Sequence, residues 1–234
     1  MMRVLIGFSR CPITVTLLRQ RGVEAWTCDL REAHHPWHIQ ADIWTVASQS
    51  WDWGIFHPMC TYLTCSAAWA FKDPDFARYP GAGYHQRVQP GTLTGAARRE
   101  ARERALADVR RILDLPYPKA IENPATSFIS KAIRPPDQVI QPYQFGDDAS
   151  KGTGLWLDML PPLVIDPDAR CPGRIVTHNG RPVERWANQT DSGQNRVTPS
   201  ADRWLERSAT WPGIARAFTQ WADADLVQMM EAAG

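Results

Sequence analysis

The chain has 234 residues, 44% of them hydrophobic and 22% charged, and a net charge of +1. This composition is ordinary for a folded globular protein and excludes a disordered chain, a collagen-like repeat and a coiled coil. The length favours one large domain over two small ones. No stretch reaches the roughly 18 apolar residues that a membrane span needs, and the apolar start of the chain is too short for a signal peptide. We therefore expect a cytoplasmic protein without a membrane partner.

Short apolar runs alternate with helix signals along most of the chain. We predict strands at residues 3–8, 24–29, 53–56, 119–122 and 154–157, and a third short strand or its edge at 38–43. A first helix is predicted to begin at Pro12 and to end before Gly22, because proline suits a first helical turn and glycine the position after the last. Residues 73–95 are rich in Pro, Gly and Tyr and predict a mobile loop. The strongest helix signal covers 96–113, and a last helix is predicted from about 212 through 221 toward 230.

This alternation predicts an α/β fold with an open, mostly parallel sheet and helices on both faces. In such sheets, ligands bind outside the carboxyl ends of the strands. Polar or reactive side chains follow the predicted strands at that edge: Ser9, Asp29, Asp42, Cys60 and Glu122. We therefore expect the functional site there.

The chain divides by composition into three parts. Residues 1–160 are predicted to form a Rossmann-like catalytic domain. Residues 161–203 carry many Pro, Gly and Asn residues without periodicity and predict a small irregular lobe. Residues 204–234 are predicted to form a helix that returns to the catalytic domain.

The loop after the first predicted strand is a candidate nucleoside-binding site. A strand–helix turn directs backbone N–H groups and the helix dipole at its ligand. Asp29, at the end of the second predicted strand, is placed to accept hydrogen bonds from ribose hydroxyls, and Asp42 to hold an adenine amino group. Either carboxylate can instead be a solvated turn or capping residue. The loop itself, residues 8–12, has no glycine-rich fingerprint.

Cys60 and Glu122 are the sharpest candidates for chemistry. The five cysteines are odd in number and contain no Cys-x-x-Cys pair, which argues against a disulfide framework and a zinc site. Cys60 follows a strand, where its thiolate can be a nucleophile; the alternative is a small buried hydrophobic residue. Glu122 follows apolar strand residues, so we expect partial desolvation, a raised pKa and a carboxyl that hydrogen-bonds a ring nitrogen. The alternative is a solvated strand end.

These residues resemble a known family. His57-Pro58-Met59-Cys60 and Glu122-Asn123-Pro124 resemble the Pro-Cys and Glu-Asn-Val motifs of the C5-cytosine DNA methyltransferases. Residues 3–22 are similar to that family's cofactor-binding strand, loop and helix. Residues 143–153 are similar in place to its Gln-x-Arg-x-Arg strand, and residues 207–221 to its closing helix. The nearest resemblance is to compact, methyltransferase-like proteins of bacteriophages.

The resemblance implies a Rossmann-like S-adenosylmethionine (SAM)-dependent methyltransferase fold in the cytoplasm of a bacterial or phage-infected cell. It implies that Cys60 adds to C6 of a flipped-out cytosine in DNA while Glu122 hydrogen-bonds N3, without a metal. The implied substrate contacts are Asn123, Lys151 and Thr153. The implied cofactor contacts are Phe8, Ser9, Asp29, Leu30, Asp42, Ile43 and Pro58.

The sequence departs from the family at several positions. Ser9, Arg10 and Cys11 stand where glycine-rich residues are expected, and Lys151 and Thr153 replace paired arginines. Two alternatives stay open: an enzyme that modifies C5 of a free pyrimidine nucleotide, and a catalytically inactive nucleic-acid-binding module. The short lobe leaves few candidates for phosphate contact, all of which can also be solvated surface: Arg78, Arg87, Arg181, Arg185, Arg196 and Arg203.

Overall fold

The computed structural model describes residues 1–196 and 210–223. Within these ranges, seven strands form one sheet in the order β3-β2-β1-β4-β5-β7-β6. β7 is antiparallel to both of its neighbours, and the other pairings are parallel. The predicted α/β fold with a mostly parallel sheet is therefore confirmed. The strands are Arg3–Gly7 (β1), Glu24–Asp29 (β2), His38–Gln40 (β3), Trp53–Phe56 (β4), Lys119–Pro124 (β5), Gln138–Ile140 (β6) and Thr153–Asp158 (β7).

Helices cover both faces of this sheet. The α-helices of the described residues are Pro12–Gln20 (α1), Ile43–Val46 (α2), Cys60–Leu63 (α3), Gly95–Leu113 (α4), Ile129–Ala132 (α5) and Pro212–Phe218 (α6). On one face, α1 and α6 pack over Val4, Ile6 and Ile55. On the other face, α2 and α4 pack over Leu5 and Phe56. The alternation of side chains along each strand thus supplies two separate apolar cores. None of the helices in the described ranges is long and apolar enough to cross a membrane.

The first strand–helix unit follows the predicted boundaries closely. Pro12 occupies the first turn of α1, where no helical N–H bond is lost. Gly22 follows the helix with a φ of +79°, a left-handed conformation that glycine adopts without steric cost. Strands β1 and β2 then pair in parallel from Arg3 opposite Glu24 to Gly7 opposite Cys28.

The structure corrects several of the predicted elements. β3 ends at Gln40 because Asp42 caps the N-terminus of α2. The segment predicted as the sixth strand is β7, and β6 was not predicted. The stretch proposed to resemble the Gln-x-Arg-x-Arg strand begins with a 3-10 helix, Pro142–Phe145, which ends at Gly146.

The lobe predicted to be irregular contains a β-hairpin. Strands Arg174–His178 (β8) and Arg181–Arg185 (β9) pair in antiparallel register. Asn179 and Gly180 form the two-residue turn with φ values of +51° and +73°, which is the usual hairpin chemistry of an Asn-Gly pair. Trp186 after β9 stacks on Tyr143 with ring centroids 4.0 Å apart, and this contact attaches the hairpin to the 3-10 helix Pro142–Phe145.

The predicted end of the last helix, the start of the segment 204–234 and Arg203 lie outside the described residues. Between Pro212 and Trp221 the helical prediction is confirmed, as α6 followed by a 3-10 turn. Phe218 and Trp221 of this segment are fully buried against the sheet. The division of the chain at residues 160 and 203 stays a prediction.

Candidate functional site

The carboxyl ends of four neighbouring strands meet at one edge of the sheet. In the strand register, Gly7 lies opposite both Cys28 and Phe56, and Phe56 lies opposite Ile121. The residues that follow these positions are therefore neighbours at the same edge: Phe8, Asp29, His57 and Glu122. Three of these four were predicted to belong to the site, and His57 was not assigned a role.

The loop after β1 has an unusual backbone. Phe8 adopts a φ of +56°, in the left-handed region that costs a non-glycine residue about 1–2 kcal/mol. Its ring packs edge-on against Trp44, with centroids 6.1 Å apart. Ser9 is nearly buried, its N–H donates to the Cys28 carbonyl, and its Oγ accepts from Cys11 N–H at 3.3 Å. In this chain, the turn after β1 is made by a phenylalanine in a strained conformation, at the place where a glycine-rich loop was expected.

The carboxylates of Asp29 and Asp42 both lie near enough to Cys28 to act on its thiol. Burial, followed by the two negative charges, raises the pKa of the Cys28 thiol to about 11. Asp29 accepts a hydrogen bond from Arg31 N–H at 2.9 Å, and Asp42 accepts one from Trp44 N–H at 3.0 Å. Each residue therefore makes the turn or cap contact that was the alternative interpretation. Because a carboxylate has several acceptor positions, this contact does not exclude a ligand.

The remaining predicted cofactor contacts differ in exposure. Leu30 is 72% exposed directly after Asp29, so its side chain is accessible. Ile43 is 4% exposed and belongs to the core beneath the loop. Pro58 is also buried. Ile43 and Pro58 therefore shape the walls of the site rather than presenting surface to a ligand.

Cys60 is exposed at the first position of α3, directly after exposed Met59. Side chains from elsewhere hold the backbone of this segment. Asn123 Nδ2 donates to the Pro58 carbonyl at 3.0 Å, and Arg98 Nη2 donates to the Thr61 carbonyl at 2.9 Å. Further along, Ser127 Oγ donates to the Leu63 carbonyl at 3.2 Å. Two of these three donors, Asn123 and Ser127, follow Glu122 in the chain. Their hydrogen bonds therefore connect the segment that carries Cys60 to the end of β5 that carries Glu122.

Glu122 is largely buried and makes an ion pair with His57. Its Oε2 lies 3.0 Å from His57 Nδ1, and the two side chains are 17% and 15% exposed. Burial raises the pKa of Glu122, but the nearby Lys151 and the hydrogen bond and charge of His57 together lower it below its ordinary value. The sequence-based expectation of a raised pKa is therefore wrong. The desolvation was foreseen, but the two cationic partners were not.

The three predicted substrate contacts have different surroundings. Asn123 is 1% exposed, and its amide is engaged with Pro58, so it braces the Cys60 segment. Thr153 is 1% exposed, and its hydroxyl donates to the Lys151 carbonyl at 3.1 Å. Lys151 is half-buried and lies close enough to Glu122 to lower the pKa of its carboxyl. Of the three, Lys151 is the residue whose charge reaches the site.

The predicted phosphate contacts are only partly presented to solvent. Arg185 Nε donates to the Asp191 carbonyl, and Arg196 Nε donates to the Gln189 carbonyl, so both brace the lobe. The guanidinium of Arg78 lies over the ring of Tyr79, its neighbour in the chain. Arg87 and Arg181 are exposed.

Among the described residues, no group of three or more His, Cys, Asp or Glu side chains is arranged to hold a metal ion.

Neither a scan against models of known protein families nor a search of curated proteins finds a match for this chain. The function is therefore argued from the geometry of the strand edge and from the two sequence motifs that lie on it.

Proposed function

We propose that this protein is a SAM-dependent methyltransferase that methylates C5 of cytosine in DNA through a covalent bond from Cys60. The observation that carries the proposal is the attachment of the exposed Cys60 segment to the end of β5, where Glu122 lies. An accessible thiol and a buried carboxyl on two segments braced together are what attack on a pyrimidine ring requires.

The sheet supports the choice of cofactor class. Its first five strands have the order 3-2-1-4-5, as in doubly wound nucleotide-binding sheets. β7 runs antiparallel beside β5, so the reversal lies outside these five parallel strands and leaves their carboxyl ends at one edge.

The first loop and the two carboxylates fit the polar parts of this cofactor. Asp29 and Asp42 offer acceptors for ribose hydroxyls and for an adenine amino group. Exposed Leu30 offers apolar surface for the adenine ring. The strained turn at Phe8 lies at the carboxyl end of β1, and such strain is typical of functional sites. When bound, the cofactor supplies an electrophilic methyl group.

The proposed chemistry follows from the poor nucleophilicity of C5 in an aromatic ring. The Cys60 thiolate forms a bond to C6, and the electrons of the C5=C6 bond move toward N3, where Glu122 stabilises them. C5 becomes nucleophilic, and bound SAM would supply the methyl group that C5 accepts, with S-adenosylhomocysteine as the leaving group. Loss of the C5 proton to a base then restores the double bond as the Cys60 sulfur leaves C6.

The test is methyl transfer from labelled SAM to duplex DNA, single-stranded DNA and dCMP. We expect transfer by the wild-type chain and a loss of at least about a hundredfold in Cys60→Ser and Glu122→Gln. Cys65→Ser is the matched control and is expected to keep wild-type activity, because Cys65 lies five residues further along in a 3-10 helix. Methyl transfer at the wild-type rate in both site variants would refute the proposal.

A substrate analogue tests the covalent step separately. DNA with 5-fluorocytosine cannot release a C5 proton, so the covalent adduct should accumulate and be visible on a denaturing gel. We expect this adduct with the wild type and Cys65→Ser and none with Cys60→Ser.

A free pyrimidine nucleotide is the second candidate substrate. It is favoured by the small lobe, in which Arg185 and Arg196 use guanidinium donors on internal carbonyl groups. Transfer to dCMP without transfer to either DNA would select this candidate. Absence of heat on calorimetric titration with SAM would instead favour the inactive nucleic-acid-binding module.

A further inference from the structure

His57 lies between the cysteine segment and Glu122, and the mechanism above does not use it. Its Nδ1 is 3.0 Å from Glu122 Oε2, and its backbone N–H donates to the Gly7 carbonyl at 3.0 Å. Its ring packs against Phe218 of α6, with centroids 6.5 Å apart. The imidazole is thus held against the carboxyl by contacts from three parts of the chain.

We propose that His57 is a positioning residue that shares one proton with Glu122 and supplies it when negative charge moves onto N3 of the cytosine. The inference rests on the proposed function, which it deepens by naming the source of that proton.

A source of this proton is needed because neither N3 of cytosine nor the carboxyl of Glu122 carries one. N3 of neutral cytosine carries a lone pair, so a group that bonds to it must donate a proton. The pKa of Glu122 is lowered by Lys151 and His57 despite its burial, so near neutral pH the carboxyl is ionised and has no proton to donate. An ionised carboxylate only accepts hydrogen bonds. A second group must therefore deliver the proton through Glu122.

His57 meets this need because histidine is the side chain that ordinarily changes charge between about pH 5 and 8. As Cys60 bonds to C6, the imidazolium form of His57 passes its Nδ1 proton to Glu122 Oε2 and becomes a neutral imidazole with its remaining proton on Nε2, and the carboxyl gives a proton to N3. When the sulfur leaves and the C5=C6 bond forms again, N3 returns the proton to the pair. Over the whole reaction, N3 neither gains nor loses a proton.

The other groups around the pair do not compete for this role. Asn123 on β5 is neutral and engaged with Pro58, and Phe218 on α6 is apolar. Lys151, before β7, is the further charged group that acts on Glu122, and it favours the ionised carboxyl. His57 Nε2 is buried and, among the described residues, has no hydrogen-bond partner, so the Nδ1 side is the one that exchanges a proton with a described group.

The test uses His57→Asn and His57→Gln, whose amides can still donate a hydrogen bond to Glu122 but cannot release a proton. Exposed His34→Asn is the matched control. We expect both His57 variants to lower kcat for methyl transfer at least about tenfold with little change in the KM for DNA. Wild-type kcat in both variants would overturn the inference.

A second measurement needs neither cofactor nor DNA. The carboxyl carbon of Glu122, followed by NMR across pH in the full chain, should show a higher pKa in His57→Asn than in the wild type, because the cationic partner has gone. His34→Asn should leave this pKa unchanged. If the pKa of Glu122 is the same in His57→Asn as in the wild type, the proposal of a shared proton is overturned, even if the enzyme is active. If Glu122 shifts but the wild type methylates no cytosine substrate, the proposed function fails while the coupling of the pair is established.

Discussion

The buried ion pair between Lys119 and Asp158 allows a quantitative prediction about stability. The two residues lie opposite each other in the antiparallel pairing of β5 and β7, and Lys119 Nζ donates to Asp158 Oδ2. The Lys119 side chain is fully buried, whereas Asp158 is 39% exposed. Removing the carboxylate therefore leaves an ammonium group in the core without its partner, whereas removing the ammonium leaves a carboxylate that water can reach.

Removing one member of a fully buried pair typically costs about 3–5 kcal/mol. Because water reaches Asp158, the cost should be smaller here, and we expect Asp158→Asn to lower the free energy of unfolding by about 2–3 kcal/mol. Lys119→Met, which fills a similar volume with apolar atoms, should change it by less than about 1 kcal/mol. For a chain of this size, the Asp158→Asn loss corresponds to a fall in Tm of about 5–10 °C.

The assay is urea unfolding followed by tryptophan fluorescence, with the two single variants and the double variant in one thermodynamic cycle. Asp158→Asn should be the less stable single variant, and adding Lys119→Met to it should restore most of the lost stability. Equal costs for the two single variants, or no restoration in the double variant, would refute the argument from unequal burial.

Three further predictions concern the strand edge. Because folding lowers the pKa of Glu122, its ionised carboxylate stabilises the folded state at pH values above the pKa of a free glutamate. This contribution is lost as the pH falls through the folded-state pKa. In denaturant titrations, the difference in unfolding free energy between the wild type and Glu122→Gln should therefore shrink in acid. Phe8→Gly should be more stable than Phe8→Ala by about 1 kcal/mol in thermal unfolding, because both lose the contact with Trp44 but only alanine keeps the left-handed strain. Asn123→Leu should cost about 1–3 kcal/mol in urea unfolding by leaving the Pro58 carbonyl without its buried donor.

Each of these has an outcome that contradicts it. A stability difference for Glu122→Gln that grows in acid would reverse the sign of the pKa argument. Equal stability of the glycine and alanine variants at position 8 would show that the backbone there is not strained. A neutral Asn123→Leu variant would show that water satisfies the carbonyl.

The sequence alone determined the elements whose signals are local. Strands β2 and β4 lie at their predicted positions, and β4 is a continuous apolar run, as a strand covered on both faces requires. Helix α1 begins at Pro12 and ends before Gly22, because proline and glycine each set the backbone conformation of the turn in which they lie. The Asn179-Gly180 turn carries an equally local signal, although the lobe that contains it was predicted to be irregular. The placement of Cys60 after β4 and of Glu122 near the carboxyl end of β5 follows from the same local reasoning.

Only the tertiary structure decided what depends on distant partners. The three residues of β6 have no apolar run long enough to be noticed, and the reversed direction of β7 is a property of its pairing with β5. The pKa of Glu122 is lowered because folding brings His57 and Lys151 to its carboxyl, from 65 and 29 positions away in the chain. Its apolar chain neighbours predicted desolvation correctly, but charge acts through space. A sequence shows which groups are present, and the fold alone sets the distances between them.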